Sequence, residues 1–118
     1  MIVVRNVFRL KFGMAREMRQ LWTDWTKSSP PMGAMRGYRT LVDLTGESYS
    51  FILEVEFDDL ASYEKGQQEL FGDPAWRAFY SKVTPLVESG YREILTIVDS
   101  GTADTMTRAA AGMAGQTA

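Results

Sequence analysis

The sequence predicts an α+β fold: strand, helix, strand, strand, helix, strand, with a four-stranded antiparallel sheet carrying both helices on one face. Three observations predict it. Residues 2–12 and 48–57 alternate apolar and polar side chains with a period of two, the mark of strands with one better-buried face. Residues 14–27 and 73–83 instead place their large apolar side chains at helical spacing. Punctuation at Gly13, Pro30-Pro31, Gly46, Gly72 and Pro85 separates these stretches.

The first strand carries Ile2, Val4, Asn6, Phe8, Leu10 and Phe12 on one face and Arg5, Val7, Arg9 and Lys11 on the other. Met14, Met18, Leu21, Trp22 and Trp25 then form one stripe of a helix that Ser28-Ser29-Pro30-Pro31 cannot continue. Residues 28–35 read as a flexible loop and 36–43 as a shorter strand. Thr45-Gly46-Glu47 signals a hairpin leading into the strand 48–57, with Tyr49, Phe51, Leu53, Val55 and Phe57 on one face. Asp58 is the expected N-cap of the next helix, through Leu60 and Tyr63 to Leu70. Asp73-Pro74 restarts that helix after Gly72, with Trp76, Phe79, Tyr80 and Val83 along one side. Ser89-Gly90 is the expected turn into a last strand at 91–98. Residues 99–118 are small and polar and read as a low-complexity mobile tail, with a short helix near Met106–Ala111 conceivable but with little to bury.

At 118 residues the chain is one domain, read as 1–98 plus the tail. An apolar content of 45% supports a core without staples. There is no cysteine and no histidine, which removes thiolate chemistry, the usual general base, the commonest metal ligand and the usual haem ligand. No metal and no cofactor are expected. Net charge is −2 with the signs mixed, so neither nucleic acid nor an anionic membrane is an expected partner. No apolar run nears the ~18 residues of a membrane span, and a cytoplasmic location is expected.

Crossover rules put both helices over one face of the sheet, the ferredoxin-like arrangement. The other face mixes Arg5, Arg9, Glu54 and Glu56 with Val3, Val7 and Ile52, and cross-strand pairing of those charges is expected. A sheet face of that kind is often covered by a second sheet. The expected partner is therefore a second copy of the chain, a homodimer through the open sheet face.

The stretches "RNVFRLKFGMAREMRQLWTDW" and "SYSFILEVEFDDLASYEKGQQELFGDPAWRAFYSKVTPLV", with the closing strand, resemble the dimeric α+β barrel superfamily. The opening strand with "LKFG" and the helix "DPAWRAFYSKVTPLV" are most similar to NIPSNAP domains, and more distantly to antibiotic-biosynthesis-type monooxygenases. The resemblance spans about residues 1–98. It implies a ligand space between sheet and helices. Haem-degrading members of the superfamily carry an asparagine on the first strand and a tryptophan and histidine on the second helix. Asn6 matches the first, Trp76 lies one turn before the position of the histidine, and Tyr80 falls near it. Without histidine, haem ligation of that kind is not expected.

Asn6 and Tyr80 are thus the candidate catalytic residues. Trp22, Trp25, Tyr49, Phe51, Trp76 and Arg36 are the candidate substrate-binding ones. Each has a plainer reading. Asn6 can hold a helix–sheet junction by hydrogen bonding, and the Trp stripes can be ordinary core. Arg36, with Tyr38 and Arg39, can gate a pocket or hold an anion, or keep an edge strand soluble. Glu54 and Glu56 read as salt-bridge partners, and Asp58-Asp59 as caps. The implied function is binding of a small aromatic molecule between sheet and helices, with cofactor-independent oxygenation as one outcome. A non-enzymatic homodimeric module and a filled structural core are the alternatives, and the presence of a cavity beside Asn6 decides between core and site.

Overall fold

The computed structural model describes residues 1–29 and 33–106. The strands are β1 (Ile2–Leu10), β2 (Gly37–Val42), β3 (Ser50–Phe57) and β4 (Val87–Thr96); the helices are α1 (Ala15–Ser28), α2 (Leu60–Phe71) and α3 (Pro74–Val83). The sheet is antiparallel in the order β2-β3-β1-β4, the ferredoxin-like topology that the alternating pattern predicts. The expected loop at 28–35 lies partly, and the expected tail mostly, outside the described residues. One helical turn at residues 103–106 ends the described chain, with the Met106 amide donating to Thr102 at 3.0 Å.

The helices all serve one sheet face. Leu10 and Phe51 join Met18 of α1, Val83 of α3 and Leu86 in one buried cluster. Val4, Val55 and Phe57 join Tyr63 of α2 in a second. Phe51 and Phe57 are 2% and 0% exposed, so β3 carries the centre of the core. Burying one such ring is worth roughly 1.5–3 kcal/mol, which is why the alternation of β3 is the strongest in the chain.

The boundaries differ from the sequence expectation in three places. Asp59, not Asp58, caps α2: its carboxylate accepts from the Ser62 amide at 2.8 Å. Asp58 is instead taken by Arg36, whose Nε and Nη2 donate to its two carboxylate oxygens at 2.8 and 2.7 Å. Ser89-Gly90 is not a turn. The chain reverses in the short helical turn Thr84–Leu86, and β4 is already running at Val87. Asp73 does cap α3, accepting from the Ala75 amide at 2.9 Å, with Pro74 in the first turn.

On the open face the expected pairing holds for Arg5, which reaches Glu54 at 3.2 Å and Glu93 at 3.5 Å, while Arg39 also holds Glu54. It does not hold for Arg9 and Glu56. The register sets Arg9 opposite Ser50 and Val3 opposite Glu56, so Arg9 turns to Glu47 at 2.8 Å and Glu88 at 4.0 Å.

Candidate functional site

A cavity of about 750 Å³ lies between the sheet and the helices. Its floor is the inner face of three strands: Val4, Asn6 and Phe8 of β1, the four apolar side chains Phe51 to Phe57 of β3, and Gly90 and Arg92 of β4. Its walls are Tyr63, Gln67 and Leu70 of α2 and Trp76, Phe79 and Tyr80 of α3. Trp22 of α1 closes one end. A second hollow of about 200 Å³ adjoins it and shares Trp22, Leu53, Val55, Leu70 and Trp76; its own lining includes Trp25, Met35 and Tyr38.

The floor depends on one close approach. Gly90 stands opposite Phe8 in the β1–β4 register, and a Cβ there would lie 2.8 Å from Phe8 Cδ1. The absent side chain leaves room for the Phe8 ring to lie across β4.

Asn6 is at the centre of a polar group on this floor. Arg92, its register partner on β4, donates from Nε to Asn6 Oδ1 at 2.8 Å. Arg92 Nη1 also donates to the Tyr63 hydroxyl at 2.7 Å, and Gln67 Nε2 donates to the same oxygen at 2.8 Å. The Tyr63 oxygen therefore accepts twice, and its own O–H is left to donate. Tyr63 is 8% exposed and packs edge-on against Phe57, so its hydroxyl is fixed in place.

Of the candidates from sequence, Asn6, Tyr80, Trp22, Phe51 and Trp76 line the large cavity, and Trp25 lines the smaller hollow. Trp25 stacks on Phe79 with ring centroids 4.9 Å apart, and Trp76 meets both rings at 5.4 Å. The stripes are thus core on one side and cavity wall on the other. Tyr49 and Arg36 line neither. Tyr49 has φ +63° and precedes β3, so strand alternation does not reach it; it packs on Phe12 at 5.1 Å. Arg36 is committed to Asp58, which holds its guanidinium more basic than usual through the hydrogen bond and the charge. Arg92, Tyr63 and Gln67 were not among the candidates. The available signal was an arginine directly across the sheet from Asn6, legible only once the β4 register is known.

Among the described residues no three acidic side chains converge. Nor is any described helix long and apolar enough to cross a membrane.

The NIPSNAP family model matches residues 6–100. The chain belongs to the NIPSNAP family. No curated protein matches it. Among solved structures, a NIPSNAP family protein from Agrobacterium tumefaciens is 24% identical, with a TM-score of 0.73 over 85% of this chain and 88% of that one. An uncharacterised NIPSNAP domain protein from Burkholderia xenovorans is 20% identical, with a TM-score of 0.72 over 86% of this chain and 99% of that one. A proposed antibiotic biosynthesis monooxygenase from Deinococcus radiodurans is 14% identical, with a TM-score of 0.64 over 86% and 97%. At these identities the likeness is one of fold, so function in this NIPSNAP chain has to be argued from its own cavity.

Proposed function

We propose that this NIPSNAP protein binds a small, largely aromatic molecule in the cavity between sheet and helices. One observation carries the reading: a cavity of about 750 Å³ lined by rings from all three helices, with a small set of fixed polar groups on its floor. That combination of size, apolar wall and few oriented donors is what small-molecule sites have. A filled structural core would close this space, so its presence supports a site over a core.

A second reading is favoured by Asn6 on the floor and Tyr80 on the wall, together with the distant likeness in fold to monooxygenase-type proteins. An electron-rich phenol can reduce dioxygen itself. One oxygen atom enters the ring, the other leaves as water, and the phenol becomes a quinone. The protein then needs only to orient the substrate and stabilise oxyanion charge with donors. The non-enzymatic alternative uses the same cavity without turnover.

The open sheet face supports a further part of the reading, a homodimer with a second copy laid on it. Its basic and acidic side chains already pair within one chain, so a second copy would meet a face whose charges are largely compensated, and Tyr91 and Leu95 on it are about half exposed in a single chain.

Tryptophan fluorescence tests the central claim, because Trp22 and Trp76 line the cavity. Titration with a panel of planar aromatic probes should give a saturable change in emission. A panel that gives none overturns the reading. Oxygen uptake in the same mixtures separates the oxygenase from the binding module.

A further inference from the structure

Four arginines of the described chain, Arg5, Arg9, Arg36 and Arg39, each reach a carboxylate within 4.0 Å. Arg92 does not. Its partners are the Asn6 amide oxygen and the Tyr63 hydroxyl, both neutral. These orient the guanidinium without cancelling its charge. Nη2 and one hydrogen of Nη1 are left over, on an exposed arginine that lines the cavity.

A second observation is independent of that network. The side chains lining the cavity include two arginines, Arg77 and Arg92, and no aspartate or glutamate. The chain as a whole carries a net charge of −2. The cavity is thus bordered by two cationic residues and no anionic one in an acidic protein, and because both arginines are exposed the bias acts on an anion at its solvent side.

We propose that the cavity selects an anionic aromatic ligand, a carboxylate or the ionised form of an acidic phenol or enol. Its oxyanion is held jointly by the Arg92 guanidinium and the Tyr63 O–H. Asn6 and Gln67 are positioning residues. Asn6 accepts from Arg92 Nε and fixes the plane of the fork. Gln67 donates to the Tyr63 oxygen, which leaves the phenolic proton no choice but to point away from both donors. The oxyanion site lies on the cavity floor, and the ring system of the ligand extends along Phe79 and Trp76.

This inference rests on the small-molecule reading above, and matched probe pairs keep the two apart. The probes are fused-ring aromatic carboxylates and their primary amides, which have nearly the same shape and differ in charge. Binding is followed by tryptophan emission and by calorimetry at neutral pH, for wild type, Arg92→Gln and Tyr63→Phe. Wild type should bind the acids more tightly than the amides. Arg92→Gln should weaken the acids by roughly ten- to hundred-fold, the effect of losing a charged hydrogen bond, and weaken the amides, whose carbonyl accepts a neutral bond at most, far less. Tyr63→Phe keeps the ring against Phe57 and should weaken the acids less, which preserves the test if Arg92→Gln folds poorly. Equal binding of acids and amides, or no change in either variant, overturns the anion inference and leaves the cavity reading standing. Failure of every probe, acid and amide, overturns both.

Discussion

Asn6 and Arg92 stand directly opposite each other on neighbouring strands, 86 residues apart in sequence, joined by an Nε to Oδ1 hydrogen bond of 2.8 Å. The bond uses the asparagine as an acceptor, so in the proposed site Asn6 would act on a ligand chiefly through the arginine it orients. Asn6→Ala should leave the fold intact, at a cost of about 1 kcal/mol for the lost hydrogen bond. It should weaken an aromatic acid less than Arg92→Gln does, and the double variant should bind no more weakly than Arg92→Gln alone. Calorimetric titration of the four proteins with one acid and its amide measures the coupling. Additive losses would mean that Asn6 touches the ligand independently.

The same register explains a second expectation, at Gly90. Any Cβ there would sit 2.8 Å from the Phe8 ring and 3.2 Å from the Val7 carbonyl oxygen. Gly90→Ala must therefore displace the Phe8 ring or the strand beside it. Overpacking of this kind costs about 1–3 kcal/mol. Thermal denaturation should show the loss, and probe affinity should fall with it because Phe8 is part of the cavity floor. Unchanged stability and affinity would show that the ring moves aside freely.

Much of the fold was legible because burial on one face of a strand leaves a period of two and burial of one helix stripe leaves a period near 3.6. Those patterns were strong in β1, β3, α1 and α3. β4 was harder. Its two faces carry Tyr91 and Leu95 on one side and Arg92 and Ile94 on the other, so neither is clearly the apolar one. Ser89-Gly90 looks like a turn, although the glycine is there for the Phe8 ring. With β4 started too late and its inner face unassigned, Arg92 could not be placed beside Asn6. In sequence Tyr63 is simply a residue of the helix through Leu60 to Leu70, because nothing local shows that its hydroxyl meets a strand residue 29 positions on. Tyr49 erred the other way: alternation was carried one residue past the point where the backbone turns left-handed.

Asp58 and Arg36 form an exposed pair whose contribution follows pH. The hydrogen bond from Arg36 lowers the Asp58 carboxyl below its ordinary value of 3.8. A carboxylate with a depressed folded-state value stabilises the fold above its unfolded value, and that stabilisation is lost as pH falls through the folded one. Asp58→Asn should thus lower Tm at pH 7, and the gap from wild type should begin to close below about pH 4. Asp59 shifts in the same direction because its carboxylate accepts from the Ser62 backbone amide. Asp59→Ala should show the same narrowing. Melting curves at intervals from pH 7 to pH 2.5 measure both. A gap that stays constant with pH would mean that the ionisation of neither carboxyl contributes to stability.

The proposed dimer makes a sharper demand on Leu95. It stands opposite Val3 on the open face, at the edge strand β4, and is 47% exposed in a single chain. A carboxylate placed there is tolerated by an isolated chain, since the side chain has half its surface in water already. Between two sheets it would be buried without a dedicated partner, at a cost of several kcal/mol. Wild type should therefore elute with twice the 13.3 kDa mass of one chain, measured by light scattering at micromolar concentration. Leu95→Asp should run as a monomer with unchanged far-ultraviolet circular dichroism. If wild type is itself monomeric, the second-copy proposal falls. If Leu95→Asp stays dimeric, the copies meet on some other surface. Because β4 also carries Arg92, the monomeric variant has a further use. Unchanged acid binding by Leu95→Asp would show that each chain holds a complete site, and lost binding would show that the partner completes it.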